Sequence, residues 1–492
     1  MPTINKESNF IRNLNKQLVR KDPVLNLSYE RMGDAGIAFI CQSKDLSHVR
    51  QLDLSWNKIS DTGLKKLAAC ESLSNLSHLI LNSNEIGDDG ALNLTESNNF
   101  PKLKSLELAY NQITHFGALS LVKSPKLRSL HSLDLEMNKI GKKETNKFPD
   151  GTAIPELKIL NLRKNQIGND VILYWAQSGG FEGLDHVNLG WNQISDEGAK
   201  VLANSPTLNQ LRDLILDSNN IGDSGSLSLA HSKNLTNLKN LNMADNKFKS
   251  HGESALLDLR TRNLAEKITE DKSLNLNVLY LRNKDIKALS LYQKMEEVFS
   301  LSLRSNLFDH QGVGQLAASP FFKNIKSLNL MDNSIGDKGV LLLSESVSMS
   351  NLEVLNLENT GMTSTGILAI SQSSYLKNIK ELNLNGNSID KKGFLLLSKS
   401  ENFKNLKILK ISGISMGDEG FQLIINSNSL IQLEELEVAG NFISKNGLKI
   451  LASSSMLTHL KKLDLRRNNL KDADQLFLAQ SSEFSNLKSI RF

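Results

Sequence analysis

The chain has 492 residues, with Lys+Arg 58 against Asp+Glu 53 and a formal charge of +5, and its basic residues are spread along it, so no nucleic-acid-binding patch is expected. Two cysteines, Cys41 and Cys70, exclude a disulfide framework and favour a reducing compartment. No window approaches the ~20 apolar residues of a spanning helix and the N-terminus has no signal-peptide core, so a cytoplasmic protein without membrane contact is expected, unless another kind of signal exports it.

Residues 1–23 open the chain, with Phe10, Ile11, Leu14 and Leu18 at helical spacing, which predicts a helix that lids the element after it. From Leu25 the chain repeats itself. LDLSWNKISDTGLKKL, at Leu52 to Leu67, returns almost unchanged as VNLGWNQISDEGAKVL at Val187 to Leu202. One Asn follows each LxLxx, at Asn57, Asn84, Asn111, Asn138, Asn165, Asn192, Asn219 and Asn246, in steps of 27 residues. A degenerate first unit has Glu30 in that place. The unit at Asn138 to Leu160 keeps its length but replaces its helix with a Lys-rich loop, KKETNKFPDG.

Between Asn246 and Asn306 the distance is 60, or 2 × 27 + 6. That stretch holds extra helix-like sequence, LLDLRTRNLAEKITED, and a distorted unit NVLYLRNKDIKAL with Lys284 in the Asn place. The register then resumes through Asn306, Asn333, Thr360, Asn387, Ile414, Asn441 and Asn468, for about seventeen units, and LKSIRF begins an eighteenth strand. The expected organisation is a cap at 1–23, a first arm at 24–246, an irregular segment at 247–300 and a second arm at 301–492. No capping helix follows the last strand, so its edge is open to water, to a pairing partner or to further chain.

Each recurring letter has a physical reading. Residues two apart on a strand share a face, so Leu52 and Leu54 point into a core while Asp53 and Ser55 point away. The Asn, where the chain leaves the strand, can donate to and accept from backbone groups that have no ladder partner. Asp61, Asp88, Asp196, Asp223, Asp337 and Asp418 each stand two residues before a Gly at the start of an apolar helical period, where an N-cap is expected. Seven residues after the Gly a Ser recurs, as at Ser97, Ser124 and Ser427; its regularity marks it as scaffold, and Cys70 fills the same slot.

LxxLxLxxN followed by xIxDxG and a helix resembles the leucine-rich repeat, over almost the whole chain. Its length and full helix are similar to the ribonuclease-inhibitor type, shared with Ran GTPase-activating proteins and NOD-like receptors. The resemblance implies an α/β solenoid, a horseshoe with a parallel concave β-sheet and convex helices.

The strand positions that face away from the core are the candidate site. In the first arm they present Tyr29, Asp53, Trp56, Glu107, Tyr110, Asp134, Glu136, Arg163, Lys164 and Trp191, an aromatic stripe grading from acidic to basic. At about 4.8 Å per strand, Tyr29 to Tyr110 spans about 15 Å, the scale of a binding hot spot. The competing reading is that the Trp rings pack on neighbouring loops. The second arm has few aromatics there. The nine histidines are scattered, and HExxH, CxxC and GxxxxGK[ST] are absent, so no catalysis, metal or cofactor is expected. The leading expectation is a scaffold that captures a partner protein on its concave face, as an inhibitor, an adaptor or a bacterial host-directed effector. The alternative is an activator of a small GTPase of the Ran type, although that family's acidic tail is missing from EFSNLKSIRF.

Overall fold

The computed structural model describes residues 4–43, 46–141, 153–454, 459–471, 474 and 487–492. The chain divides into two compact units, Met1–Arg260 and Thr261–Phe492. Each is an α/β solenoid with a nine-stranded parallel sheet in which every strand pairs with its sequence neighbour. The sheet of the first unit runs from Val24–Asn26 to Asn240–Asn242, and that of the second from Ser273–Asn275 to Ser489–Arg491. Register follows the repeat: Leu25 lies opposite Leu52, Leu52 opposite Leu79, and Leu274 opposite Leu301. Strands of three residues suffice because the apolar residues of the inner LxL strands are buried, as at Leu52 and Leu54, and stack into one continuous core per unit, while Leu241 and Ile490 on the last strand of each sheet are only partly buried.

The Asn positions form a ladder. The Nδ2 of Asn84 donates to the carbonyls of Leu54 (3.1 Å) and Leu81 (2.9 Å), while its Oδ1 accepts from the backbone N–H of Asn57 (3.1 Å) and Ile59 (3.0 Å). One side chain thus satisfies four groups at a turn that no sheet partner reaches.

The aspartates do not cap their own helices. Ser60, extended and accepting from Thr62 N–H, is the N-cap of helix Asp61–Ala68, which leaves Asp61 inside the first turn. Its carboxylate turns to the next repeat instead, where Oδ1 accepts from the N–H of Gly87 (2.6 Å) and Gly90 (3.0 Å). Asp88, Asp196, Asp223 and Asp337 make the same pair of bonds one repeat on, and Asp418 reaches Ser444. These helix starts are therefore held by the repeat before them, whereas Asp309 and Asp390 cap their own helices, accepting from Gln311 N–H and from Lys392 and Gly393 N–H. The glycine of DxG follows from that approach, since a Cβ on Gly90 would lie 2.5 Å from Asp61 Oδ1. The recurring Ser is scaffold as expected: Ser97 Oγ donates to Ala68 O (2.5 Å), Ser124 to Thr95 O (3.1 Å) and Ser427 to Ser398 O (2.8 Å).

The opening helix, Ile4–Arg20, buries Phe10 and Leu14, with Ile11 and Leu18 packed beside them. Gln17 also covers the outer edge of the first strand: its Nε2 donates to Asn26 O (2.7 Å) and its Oε1 accepts from Asn26 N–H (3.1 Å). A side-chain amide thus imitates the missing strand neighbour.

The irregular segment is simpler than the sequence suggests. Its strand is Ser273–Asn275, paired in register with Ser300–Ser302, so Leu279 and not Lys284 stands in the Asn place. VLYL alternates like a strand, but Leu274 and Leu276 of SLNLN take the core positions because they lie 27 residues before Leu301 and Leu303. The six extra residues therefore fall before this strand, where the helix Ser250–Ala265 runs for 16 residues against eight or nine in most repeats. In the unit at Asn138 to Leu160, strands Ser132–Asp134 and Ile159–Asn161 pair directly; most of its expected Lys-rich loop, 142–152, lies outside the described residues.

Candidate functional site

The residue just before each ladder Asn has a backbone demand that the sequence did not disclose. It adopts left-handed φ throughout the first unit, at Tyr29 (+63°), Trp56 (+60°), Tyr110 (+57°), Lys164 (+53°) and Trp191 (+56°). Glycine enters this region without cost, and in the second unit Gly386, Gly413 and Gly440 take the same place. A bulky aromatic there is opposed by the backbone, and its ring gains little burial in return. Trp56 is 52% exposed, Trp191 53%, Tyr29 68% and Tyr110 47%.

The stripe resolves into two clusters with an acidic stretch between them. At one end the rings of Tyr29 and Trp56 stack, with centroids 5.5 Å apart and planes 11° from parallel. The Trp56 ring thus packs on a neighbour's exposed aromatic and remains half exposed. Tyr110 stands two strands beyond Trp56, past Ser83, on the same row. At the other end Trp191 lies under two cations, Arg163 and Lys164, each 5.9 Å from its ring centroid.

Arg163 is held by a residue that sequence reasoning passed over. Its Nη1 and Nη2 donate to Asp217 Oδ1 (2.8 Å) and Oδ2 (3.0 Å) in a bidentate pair that crosses the intervening strand. Gly190 makes that crossing possible, because a Cβ there would come within 2.4 Å of both Arg163 Nη1 and Asp217 Oδ1. The available signal was a glycine at an outward strand position, flanked one repeat either way by opposite charges.

Between the clusters, Glu107 accepts from Asn82 Nδ2 (2.8 Å), and Glu136 lies 3.5 Å from Lys164 Nζ. Asp53 and Asp134 have a second duty. Each Oδ1 accepts from the N–H two residues on, Ser55 (2.9 Å) and Glu136 (2.8 Å), closing an Asx turn. Asn161 and Asn188 make the same bond in their repeats, so the fold asks for the turn and not for the charge. Burial pushes the Asp134 carboxyl above the usual range, the bonds from Glu136 N–H and Asn161 oppose this, and the nearby Glu136 and Glu107 charges add to it. A carboxyl raised in the folded state destabilises the fold once ionised. Asp134→Asn is therefore expected to raise the unfolding midpoint at pH 7. The difference from wild type should shrink as pH falls through the raised carboxyl range; an unchanged gap at low pH would contradict the assignment.

The outward face of the second unit is neutralised from within. Lys410 sits between Glu381 (3.2 Å) and Glu437 (3.7 Å), and Arg466 folds back onto its own Asp464 (2.6 Å). Among the described residues no group of three His, Cys, Asp or Glu could hold a metal ion, and no helix is long and apolar enough to cross a membrane.

A family profile described as Leucine Rich repeat matches residues 45–68, 72–94, 101–122, 184–203, 208–230, 323–344 and 457–474. Among solved structures, an internalin from Listeria monocytogenes is 18% identical, over 93% of this chain and 94% of that one, at a TM-score of 0.30. A leucine-rich-repeat protein from Leptospira interrogans is also 18% identical, over 97% and 98%, at 0.30. A plant peptide hormone receptor is 16% identical, over 90% and 74%, at 0.29. No curated protein matches the sequence.

Proposed function

The chain is a leucine-rich-repeat protein, and from that premise we propose that it captures a partner protein on the outward strand face of its first unit, through Tyr29, Trp56 and Tyr110 at one end and Arg163, Lys164 and Trp191 at the other. Proteins of this kind are in general protein-binding scaffolds. The observation that carries the reading is the exposure of large aromatic rings at backbone positions suited to glycine. Strain kept without burial points to use at a surface. Tyr, Trp and Arg are also the side chains that dominate interface energetics.

Glu107, Asp134 and Glu136 between the two clusters suit a partner that presents a basic segment flanked by surfaces for the rings. Capture is then the activity, exercised as an inhibitor or an adaptor without chemistry of its own. The test uses the full chain as bait in cell lysate beside a Tyr29→Ala/Trp56→Gly variant, with bound proteins identified by mass spectrometry. A protein retained by wild type and lost by the variant supports the reading. Equal retention rejects it, and a small GTPase among the lost proteins would favour the activator alternative.

A further inference from the structure

Cations that are scattered along the sequence are gathered by the repeat onto one rim of the first unit. Two residues before the first Leu of each LxL, successive repeats stack through their backbones: Ser77 N–H donates to Arg50 O (2.7 Å), Lys104 N–H to Ser77 O (2.8 Å), His131 N–H to Lys104 O (2.8 Å) and Lys158 N–H to His131 O (2.9 Å). Arg50, Lys104, His131 and Lys158, 27 or 54 residues apart in the chain, therefore stand in one row where the chain enters the strands, at about 4.8 Å per repeat. Lys102 and Arg128 flank the row from the same entry turns, and all of these but the half-buried Lys158 are exposed. Within the entry turns 47–51, 74–78, 101–105, 128–132 and 155–159 the one carboxylate is Glu156. Among the described residues none of these Lys and Arg side chains pairs with a carboxylate. Arg50 turns to Ser47 O (2.9 Å), Lys102 to Asn75 Oδ1 (2.7 Å), Arg128 to Pro125 O (2.8 Å) and Lys158 to Gly183 O (2.9 Å). The corresponding row of the second unit supplies its own acids: Lys380 lies 2.7 Å from Glu353, and Lys407 (3.2 Å) and Lys461 (2.6 Å) share Glu434.

We propose that this rim of the first unit, from Arg50 to Lys158, binds an acidic, extended peptide segment. Like charges held in a row by a rigid backbone repel one another, and an anionic chain laid along them removes that cost. From Arg50 to Lys158 the row covers four strand steps, about 19 Å, which is the length of about six residues of extended peptide. Carboxylates on alternate residues of such a peptide recur every ~7 Å, a spacing that flexible lysine stems accommodate. Nucleic acid fits the rim less well. The rings that could stack its bases, Trp56 and Tyr110, stand six residues beyond Arg50 and Lys104, up to ~20 Å along the chain. Asp53, Glu107 and Asp134 lie in between, where they repel phosphates and confine an anionic chain to the narrow rim. The rim is a second surface beside the two ring clusters and does not depend on them.

The test titrates the full chain into a fluorescently labelled peptide of about eight glutamates, slightly longer than the row, and reads anisotropy. Wild type should bind at low salt, with affinity falling as salt rises. Lys102→Glu/Lys104→Glu should weaken binding at least about tenfold, and Lys102→Gln/Lys104→Gln, which adds no negative charge, should weaken it less. Both positions are exposed, so the thermal midpoint should stay near that of wild type. Lys65→Glu/Lys66→Glu makes the same change of net charge at exposed positions of helix Asp61–Ala68 and should bind within about twofold of wild type. Trp56→Gly, which tests the rings, should also bind the peptide like wild type, so failure of the rim and failure of capture at the rings are read separately. No binding at low salt, or equal weakening by the two charge reversals, would overturn the proposal. So would a single-stranded oligothymidylate held through Lys102 and Lys104 more tightly than the peptide.

Discussion

Asn84→Ala is expected to cost the first unit about 3 kcal/mol, because it strands the carbonyls of Leu54 and Leu81 and the N–H groups of Asn57 and Ile59, with partial relief from entering water. The second unit contains its own graded control. Thr360 stands in the ladder and keeps one of the donations, from Oγ1 to Leu357 O (2.8 Å), while its N–H still reaches Asn387 Oδ1 (3.2 Å). Ile414 keeps only the backbone bond to Asn441 Oδ1 (3.0 Å). Asn84→Thr should therefore cost about half as much as Asn84→Ala, since a single hydrogen bond contributes roughly 1 kcal/mol. Urea unfolding midpoints would rank the variants, and amide exchange at Asn57 and Ile59 would place the loss at the ladder. Equal midpoints for the Ala and Thr variants would show that the side-chain bonds are not what hold the turns.

The second expected result separates binding from folding. Trp56→Gly and Trp191→Gly should each leave the thermal midpoint nearly unchanged. Glycine relieves a left-handed backbone cost of about 1 kcal/mol. Against this, Trp56 gives up a ring stack of about 1 kcal/mol. Trp191 gives up two exposed cation contacts of roughly 0.5 kcal/mol each. Affinity for a captured partner should fall about 30-fold or more for either change, the loss of about 2 kcal/mol that defines a hot spot. Tyr110→Ala extends the test to the middle of the row. Loss of folding in the Trp variants would make the rings structural, and full affinity in both would move the interface elsewhere. No alanine substitution gives as clean a contrast, because Ala keeps the strained φ while removing the ring.

Much of this was legible in the sequence because repeats write local rules many times. Residues two apart share a strand face, apolar residues three and four apart share a helix face, and 27-residue steps align them, so the parallel sheets, the Asn ladder, the Ser slots and the capping role of Phe10 and Leu14 could be read from spacing. Spacing misled where two registers were both apolar. VLYL at 278–281 imitates a strand as well as SLNL at 273–276, and only pairing with the next strand distinguishes them.

What the tertiary structure decided lies between repeats. The Asp carboxylate caps a helix 26 to 29 residues away, Arg163 reaches Asp217 across 54 residues and a glycine, and Tyr29 stacks on Trp56. The period tells which positions become neighbours. How far a side chain extends across the stack, and the sign of φ beneath it, depend on the packed backbone, so the capping and the two clusters emerge only when the repeats are laid against one another.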